Sequence, residues 1–179
     1  MKFGGTSVGS AERIAGVADR VREGLARRPV VVVSALARVT DLLIRAAQSA
    51  LDGGADWQIA AVELASRHGT VVSELVPAGP LQDRLLSYVD SIVSELRGFL
   101  TAVQSLGELT PRTLDAIAAV GERLSFEIVA AAAQARGIPA QAVDARALIV
   151  TDESFPGPRK GYNPRDSRMV KIYCRLERE

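Results

Sequence analysis

Apolar residues recur every three or four positions in five long stretches of the chain. This spacing places them on one face of a helix, which is typical of helices that pack against a core. Ser10 and Thr110 precede two of these stretches and are residue types that commonly cap helix N-termini, and Pro111 suits a first helical turn. The pattern predicts five helices, over residues 11–26, 40–51, 56–75, 81–106 and 111–136.

A second pattern is an unbroken run of β-branched residues. Residues 30–35 read VVVVSA, which predicts a strand buried on both faces of a parallel sheet. Shorter apolar runs predict strands over 138–143 and 147–150. Helices that alternate with buried strands indicate an α/β fold. A final weak helical pattern places four apolar residues on one face: Met169, Ile172, Tyr173 and Leu176.

Gly121 interrupts the last of the five long helical patterns. A glycine inside a helix costs about 1 kcal/mol relative to alanine. We therefore expect a kink or a helix restart at Gly121 and Glu122.

Composition indicates a globular domain and limits the chemistry available to it. The chain has 179 residues, 47% of them hydrophobic, which is enough to bury a sizeable core. Its apolar runs are too short to span a bilayer and no signal peptide precedes Lys2, so we expect a cytoplasmic protein without a membrane partner. With one cysteine, Cys174, and one histidine, His68, the sequence offers no Cys/His metal site. Any metal would sit on carboxylates or on the phosphates of a substrate.

The distribution of charge divides the chain in two. The net charge of +1 gives no reason to expect a nucleic acid as partner. From Pro156 to the end, however, seven Lys/Arg face three Asp/Glu, so this segment is markedly basic. We therefore predict a domain over residues 1–155 and a basic tail over 156–179.

The opening stretch KFGGTS, residues 2–7, lies where a short first strand meets the first helix. Backbone N–H groups and the helix dipole favour an anion at such a junction, and glycines allow phosphate oxygens to approach closely. Lys2 could then follow a phosphoryl group with its charge. A glycine turn with a solvated lysine explains the pattern about equally well, and the Walker motif is absent.

Two hydroxyl residues follow the predicted strand at 30–35. Ser34 ends this strand and Thr40 starts the next helix. Ligands of open α/β sheets bind outside the carboxyl ends of the strands, so both hydroxyls lie where a ligand is expected. For Thr40 taken alone, a simple helix cap is the favoured interpretation.

Other polar residues allow two interpretations each. Glu122 could present a carboxylate to a cationic group, or it could be a surface glutamate on a helix. Asp144 and Arg146 could face a ligand or form an ordinary turn pair. His68, on the polar side of a long helix, is expected to be solvated.

Four motifs occur together in a fixed order: KFGGTSVG, VVVSALARVTDLL, VGERLSFEIVAAAAQARGIPAQAVDAR and IVTDESF. In this order they resemble the amino-terminal half of an aspartokinase catalytic domain, over about Lys2 to Phe155. The resemblance implies the amino-acid-kinase (carbamate-kinase-like) fold, a three-layer α/β/α sandwich with a mainly parallel sheet, here incomplete. It also implies phosphorylation of the side-chain carboxylate of L-aspartate by ATP and Mg²⁺, giving 4-phospho-L-aspartate, the entry to lysine, threonine and methionine synthesis.

The resemblance assigns the predicted site residues to two groups. Lys2 becomes the catalytic residue that balances charge on the transferred phosphoryl group. The predicted contacts to the ATP phosphates are Lys2, Phe3, Gly4 and Gly5. The predicted contacts to aspartate are Thr6, Ser34, Thr40 and Glu122, of which Glu122 receives the α-ammonium group.

The segment after Phe155 departs from this family pattern, because it lacks the glycine-rich part that completes the nucleotide site. We therefore expect that the chain alone does not complete phosphoryl transfer, and that an intact family member is a homo-oligomer. Two alternatives stay open. One is a kinase of the same fold that acts on glutamate or carbamate, and the other is a non-catalytic remnant or interaction module.

Overall fold

A computed structural model describes residues 1–147 and 172–175 of the chain. The described helices are α1 (Ala11–Glu23), α2 (Val39–Leu51), α3 (Asp56–Leu75), α4 (Pro80–Leu106) and α5 (Pro111–Gln134). The described strands are β1 (Lys2–Phe3), β2 (Val31–Val33), β3 (Gln141–Val143) and β4 (Ile172–Arg175). Single 3-10 turns follow α1 at Leu25–Arg27 and β3 at Ala145–Ala147.

All five predicted helices are confirmed within a few residues of their expected ends. The side chain of Ser10 caps α1 by accepting from the backbone N–H of Arg13 at 3.4 Å. Thr110 caps α5 in the same way, since its hydroxyl oxygen lies 3.1 Å from the backbone nitrogen of Thr113. None of the described helices is long and apolar enough to cross a membrane.

The four described strands form one sheet in the order β1-β2-β4-β3. β1 pairs with β2 in parallel, as predicted, whereas β4 lies antiparallel to both β2 and β3. The predicted last helix is wrong where it is described, because Ile172 and Tyr173 belong to β4. Four residues at helical spacing could not outweigh the free edges that β2 and β3 offer to a strand. The strand predicted at 147–150 lies almost wholly outside the described residues.

One face of the sheet is covered by helices. α5 packs on β2, β3 and β4 and also contacts α1, α2 and α4. Val31 and Val33 are buried, and Val31 lines a small apolar cavity with residues of α1 and α5. Val32, which points the other way, is only half-buried, so among the described residues β2 is not covered on both faces as predicted.

The region farther from the sheet consists of long helices, with α3 packed between α2 and α4. The expectation for His68 is wrong: its side chain is fully buried in α3, on the same face as Leu64 and Val72. The Nδ1–H of His68 donates to the carbonyl of Leu64 at 2.8 Å, and Nε2 has no partner among the described residues. Burial lowers the pKa of His68 to about 4, so the ring is neutral at physiological pH.

Candidate functional site

The predicted site residues lie mainly on two loops that start side by side. The first loop, residues 4–9, leaves β1, and the second, residues 34–38, leaves its parallel neighbour β2. The backbone N–H of Ser34 donates to the carbonyl of Phe3 at 3.1 Å, so the two strands end at the same edge of the sheet. This edge, at the carboxyl ends of the strands, is where ligands of α/β sheets bind.

Two glycines bring the first loop close to the second. A Cβ atom on Gly5 would lie 3.0 Å from the carbonyl oxygen of Ala35, and one on Gly9 would lie 3.1 Å from Cβ of Ala37. Gly4, by contrast, has no atom within 4 Å of the position of its absent Cβ. Gly5 is therefore required by packing, whereas Gly4 leaves its backbone open to a ligand.

Gly121 brings α5 against the second loop. A Cβ atom on Gly121 would lie 2.8 Å from both Cβ of Ala35 and Cγ1 of Val39. Of the kink or helix restart predicted at this position, the restart is wrong, since α5 runs without a break from Pro111 to Gln134, and the kink stays a prediction. The glycine is there because the contact leaves no room for a side chain, and packing of α5 on α2 compensates for its low helix propensity.

We call the contact of Gly5, Ala35, Val39 and Gly121 the Ala35 junction. It joins the loop after β1, the loop after β2 and the middle of α5 within one set of close contacts. Since Glu122 follows Gly121 directly and Ser34 precedes Ala35, the junction brings together three of the regions that carry predicted site residues.

Glu122 is a half-buried carboxylate that lacks a partner. No described residue donates a hydrogen bond to it or forms an ion pair with it, and burial raises its pKa to about 7. A surface glutamate would be solvated and would not show this shift. Glu122 is therefore suited to bind the cationic group of a ligand.

One predicted hydroxyl, that of Ser34, lies in the loop before α2, and the other, that of Thr40, lies in the first turn of α2. The helix begins at Val39, so the residue at its N-cap is Arg38, which has a left-handed backbone (φ 65°) and caps the helix with no side-chain hydrogen bond. Thr40 is exposed and Ser34 is half-buried, and neither hydroxyl has a partner among the described residues. The interpretation of Thr40 as a helix cap is therefore wrong, and its hydroxyl is available to a ligand.

The residues predicted to contact phosphates differ in their placement. Lys2 is exposed and pairs in register with Val32, so it faces away from α5 and the structure does not bring it beside Glu122. Phe3 points the other way and is 9% exposed in the core, which leaves only its backbone for a ligand. Thr6 is exposed, and its carbonyl accepts a hydrogen bond from the Arg13 guanidinium.

Asp144 and Arg146 form a turn pair after β3. The Nε–H of Arg146 donates to both carboxylate oxygens of Asp144, at 3.0 and 2.9 Å, and its backbone N–H donates to Oδ1 at 2.9 Å. These hydrogen bonds lower the pKa of Asp144. Because the carboxylate is already occupied, the turn interpretation fits better than a ligand-facing pair.

Sequence analysis missed an ion pair between Glu95 of α4 and Arg123 of α5. Arg123 donates from Nη1 to Oε1 of Glu95 at 2.7 Å and from Nη2 to Oε2 at 2.8 Å. The partners are 28 residues apart on different helices, so no local spacing reveals them. Ala35 and Ala37 were missed as well, although two small residues opposite a glycine loop are a signal of close backbone approach.

The described residues support a phosphate site better than a protein-held metal site. Open space at Gly4 lets the backbone of the first loop approach an anion. No group of three His, Cys, Asp or Glu side chains among the described residues could hold a metal ion. They do not fit a Mg²⁺ ion bound by protein ligands, and such an ion would depend on the phosphates of a nucleotide.

Most of the chain matches the model of one protein family. The model described as the amino acid kinase family matches residues 1–171, and so extends beyond the boundary predicted at Phe155. The division into a domain and a basic tail stays a prediction, because residues 148–171 lie outside the described ones.

Three curated relatives that resemble this chain are much longer than it is. It is 33% identical over 179 residues to a chloroplastic bifunctional aspartokinase/homoserine dehydrogenase 2 of Zea mays, covering 99% of this chain and 19% of the relative. It is 35% identical over 162 residues to the chloroplastic aspartokinase 1 of Arabidopsis thaliana, covering 88% and 27%. An aspartokinase of Schizosaccharomyces pombe is 32% identical, with 83% and 30% covered. The chain thus spans less than a third of each of these relatives.

Solved structures support the same fold. E. coli aspartokinase III in complex with aspartate and ADP superposes with a TM-score of 0.66 and 21% sequence identity, covering 76% of this chain and 29% of that one. The complex of the same enzyme with lysine and aspartate gives a TM-score of 0.64 at 21% identity, with 76% and 28% covered. The predicted fold, an incomplete amino-acid-kinase α/β fold, is confirmed.

Proposed function

The chain belongs to the amino acid kinase family, and on that premise we propose that it forms the acceptor-binding part of an aspartokinase active site. In the complete site, the γ-phosphoryl group of ATP passes to the side-chain carboxylate of L-aspartate, and the products are ADP and 4-phospho-L-aspartate. This reaction is the first step towards lysine, threonine and methionine.

The observation that carries the proposal is the state of Glu122. A half-buried carboxylate with a pKa raised to about 7 and no partner is unfavourable in the empty protein. An incoming ammonium group would restore the missing interaction and favour the ionised form. Glu122 is therefore proposed to bind the α-ammonium group of aspartate, which is also the role that the family resemblance implies.

Hydroxyls beside the Ala35 junction are proposed to hold the carboxylates of the same ligand. Within the described part of the chain the hydroxyls of Ser34 and Thr40 have no partner, and Thr6 on the facing loop is exposed. Hydroxyls donate to carboxylates without adding a fixed charge, so they can orient the ligand while its side-chain oxygen stays nucleophilic.

The glycine loop is proposed to face the phosphates of ATP. The open backbone at Gly4, with Gly5 next to it, would approach the phosphates. Lys2 would follow the charge of the transferred group from the face of the sheet opposite α5, which places it apart from Glu122. Phe3 would take part only through its backbone, because its side chain belongs to the core. The attacking carboxylate has an ordinary pKa near 3.9 and is already ionised at neutral pH, so the reaction needs charge neutralisation and alignment but no general base.

We propose that these 179 residues bind the acceptor without completing the transfer. The chain covers 29% of the aspartokinase III chain, and the described residues contain no group of three His, Cys, Asp or Glu side chains that could hold Mg²⁺. The bound nucleotide would bring Mg²⁺, which neutralises phosphate charge when present.

The proposal is tested by calorimetric titration of the chain with L-aspartate, L-glutamate and MgATP separately, and by a coupled assay for ADP release. We expect weak binding of aspartate, weaker binding of glutamate and no turnover. Glu122→Gln should lose at least about tenfold in affinity for aspartate, because a neutral amide cannot pair with an ammonium group. Asp41→Asn, an exposed acidic residue on α2 next to Thr40, is the matched control and should bind like the wild type.

Aspartate affinity unchanged by Glu122→Gln would reject the proposed role of Glu122. Tighter binding of glutamate than of aspartate would favour a different acceptor. Turnover of about 1 to 100 s⁻¹, as in ordinary kinases, would show that the chain alone is complete.

A further inference from the structure

Three consecutive residues in the middle of α5 have three different roles. Gly121 packs against Ala35 and Val39, Glu122 has no partner among the described residues, and Arg123 forms the ion pair with Glu95 of α4. Successive residues of a helix point about 100° apart, so these contacts hold α5 on two sides of Glu122. The ion pair therefore bears directly on where the Glu122 carboxylate lies.

The contact between Arg123 and α4 is well formed. Both terminal nitrogens of the guanidinium donate to the two oxygens of Glu95, a planar two-bond geometry that Lys cannot reproduce. The Arg123 side chain is only 13% exposed and that of Glu95 is 40% exposed, so the guanidinium is sheltered while the carboxylate partly faces solvent. The hydroxyl of Tyr88, also on α4, donates to the Arg123 carbonyl at 3.3 Å. Side chain and backbone of Arg123 are thus both held by α4.

Nearby negative charges compensate the positive charge of the Arg123 guanidinium. The hydrogen bonds from Arg123 lower the pKa of Glu95, and Asp144, itself paired with Arg146, adds negative charge near the guanidinium. The positive charge of Arg123 is therefore compensated by Glu95 and Asp144. Glu122, one residue away, is left without a cation among the described residues.

We propose that Glu95 and Arg123 are positioning residues, which fix α5 so that Glu122 is held beside the Ala35 junction, unpaired and sheltered from water, ready for the ammonium group of an amino-acid ligand. The identity of the ligand in this inference rests on the proposed function, whereas the placement of Glu122 by the ion pair does not. The pair acts through Glu122 and touches no ligand itself.

The test measures the titration midpoint of Glu122 by NMR, in the full chain with labelled glutamate carboxyl groups. It compares the wild type with three variants. Glu95→Gln removes the charge of the partner, and Arg123→Lys keeps the positive charge but loses the two-bond geometry. Asp19→Asn, which removes the exposed Asp19–Arg22 pair of α1, is the matched control. Melting temperatures show whether each variant is folded, and calorimetry with L-aspartate is run on the same samples.

We expect the Glu122 midpoint, near 7 in the wild type, to fall by about one pH unit in Glu95→Gln and in Arg123→Lys, because water reaches the carboxylate once α5 loosens. Aspartate affinity should fall about tenfold in both variants, and Asp19→Asn should change neither quantity.

An unchanged Glu122 midpoint in both variants would overturn the positioning role, whatever the result with aspartate. The positioning role would also be overturned if the Glu122 midpoint shifted in Glu95→Gln but stayed at the wild-type value in Arg123→Lys. In that case the positive charge at residue 123 would be enough, and the two-bond geometry would not matter. If the midpoints shift as expected but the wild type binds no aspartate, the positioning role stands and the proposed acceptor function falls.

Discussion

The Ala35 junction and the region of the long helices α3 and α4 each contain a glycine in the middle of a helix, but the surroundings of the two glycines differ. In the junction, a Cβ atom on Gly121 would lie 2.8 Å from Ala35 and Val39, so the helix cannot carry a side chain there. In α4, Gly98 has no atom within 4 Å of the corresponding position. A glycine in the middle of a helix is therefore not enough to predict a close contact, because only the packing of the neighbouring elements decides whether there is one.

The two regions also differ in how they treat an unpaired polar group. His68 in α3 is fully buried in a helix core, so nothing from outside can reach its free Nε2. Glu122 is half-buried, next to Gly121 in the Ala35 junction, so a ligand can reach it. Of these two groups, only Glu122 is accessible enough for the binding role that we propose, whereas His68 is enclosed by the core.

Valine at two helical glycines gives the largest expected contrast between the regions. Gly121→Val should lower the free energy of unfolding by about 3 kcal/mol, because the new side chain overlaps Ala35 and Val39. Gly98→Val should change it by no more than about 0.5 kcal/mol, since the position is open. Urea unfolding of both variants measures the difference, and equal losses would contradict the distinction between the regions.

His68 gives a smaller effect that appears only in acid. Its folded pKa of about 4 lies below the ordinary 6.5, so the unfolded chain binds the proton first and stability is lost as pH falls below about 6.5. Between pH 7 and pH 5 this group should remove about 2 kcal/mol from the free energy of unfolding. His68→Leu should abolish that share, seen as the difference between the unfolding curves of the variant and the wild type. Parallel pH dependence of the two proteins would mean that the ring is not buried.

Glu122 should show the opposite pH dependence and the smallest effect on stability. Its folded pKa is raised to about 7, so its contribution to stability declines as pH rises from about 4.5 through 7. Glu122→Gln should therefore stabilise the empty protein at pH 8 by about 1 kcal/mol, a modest gain because the carboxylate is partly exposed. Thermal unfolding at pH 8 and pH 5 checks this, and a loss of stability at pH 8 would show that Glu122 has a partner in the empty protein.

Local signals account for what the sequence could predict. Apolar spacing located the helices, and Ser10 and Thr110 were identified as caps from their residue type alone. The order of four motifs supplied the predicted site residues, which stay a prediction. The ion pair of Glu95 with Arg123 could not be predicted, since it depends on which helices become neighbours.

Gly121 and His68 show the same limit from another side. Each was interpreted from its own helix, as a kink and as a solvated ring, whereas the neighbouring elements decide both. Ile172 and Tyr173 join a sheet rather than a helix because β2 and β3 supply partners for backbone hydrogen bonds. Tertiary contact outweighs local propensity at each of these positions.

The central claim is that Glu122 binds the ammonium group of an amino acid, and calorimetric titration over pH 5.5 to 8 tests it most directly. The two ligands are L-aspartate and succinate, which keeps both carboxylates but lacks the ammonium group. We predict that aspartate binds best at pH 8, that its affinity falls about tenfold per unit below about pH 7, and that succinate binds far more weakly at pH 8. Equal affinities for the two ligands at pH 8, or an aspartate affinity independent of pH, would contradict the account.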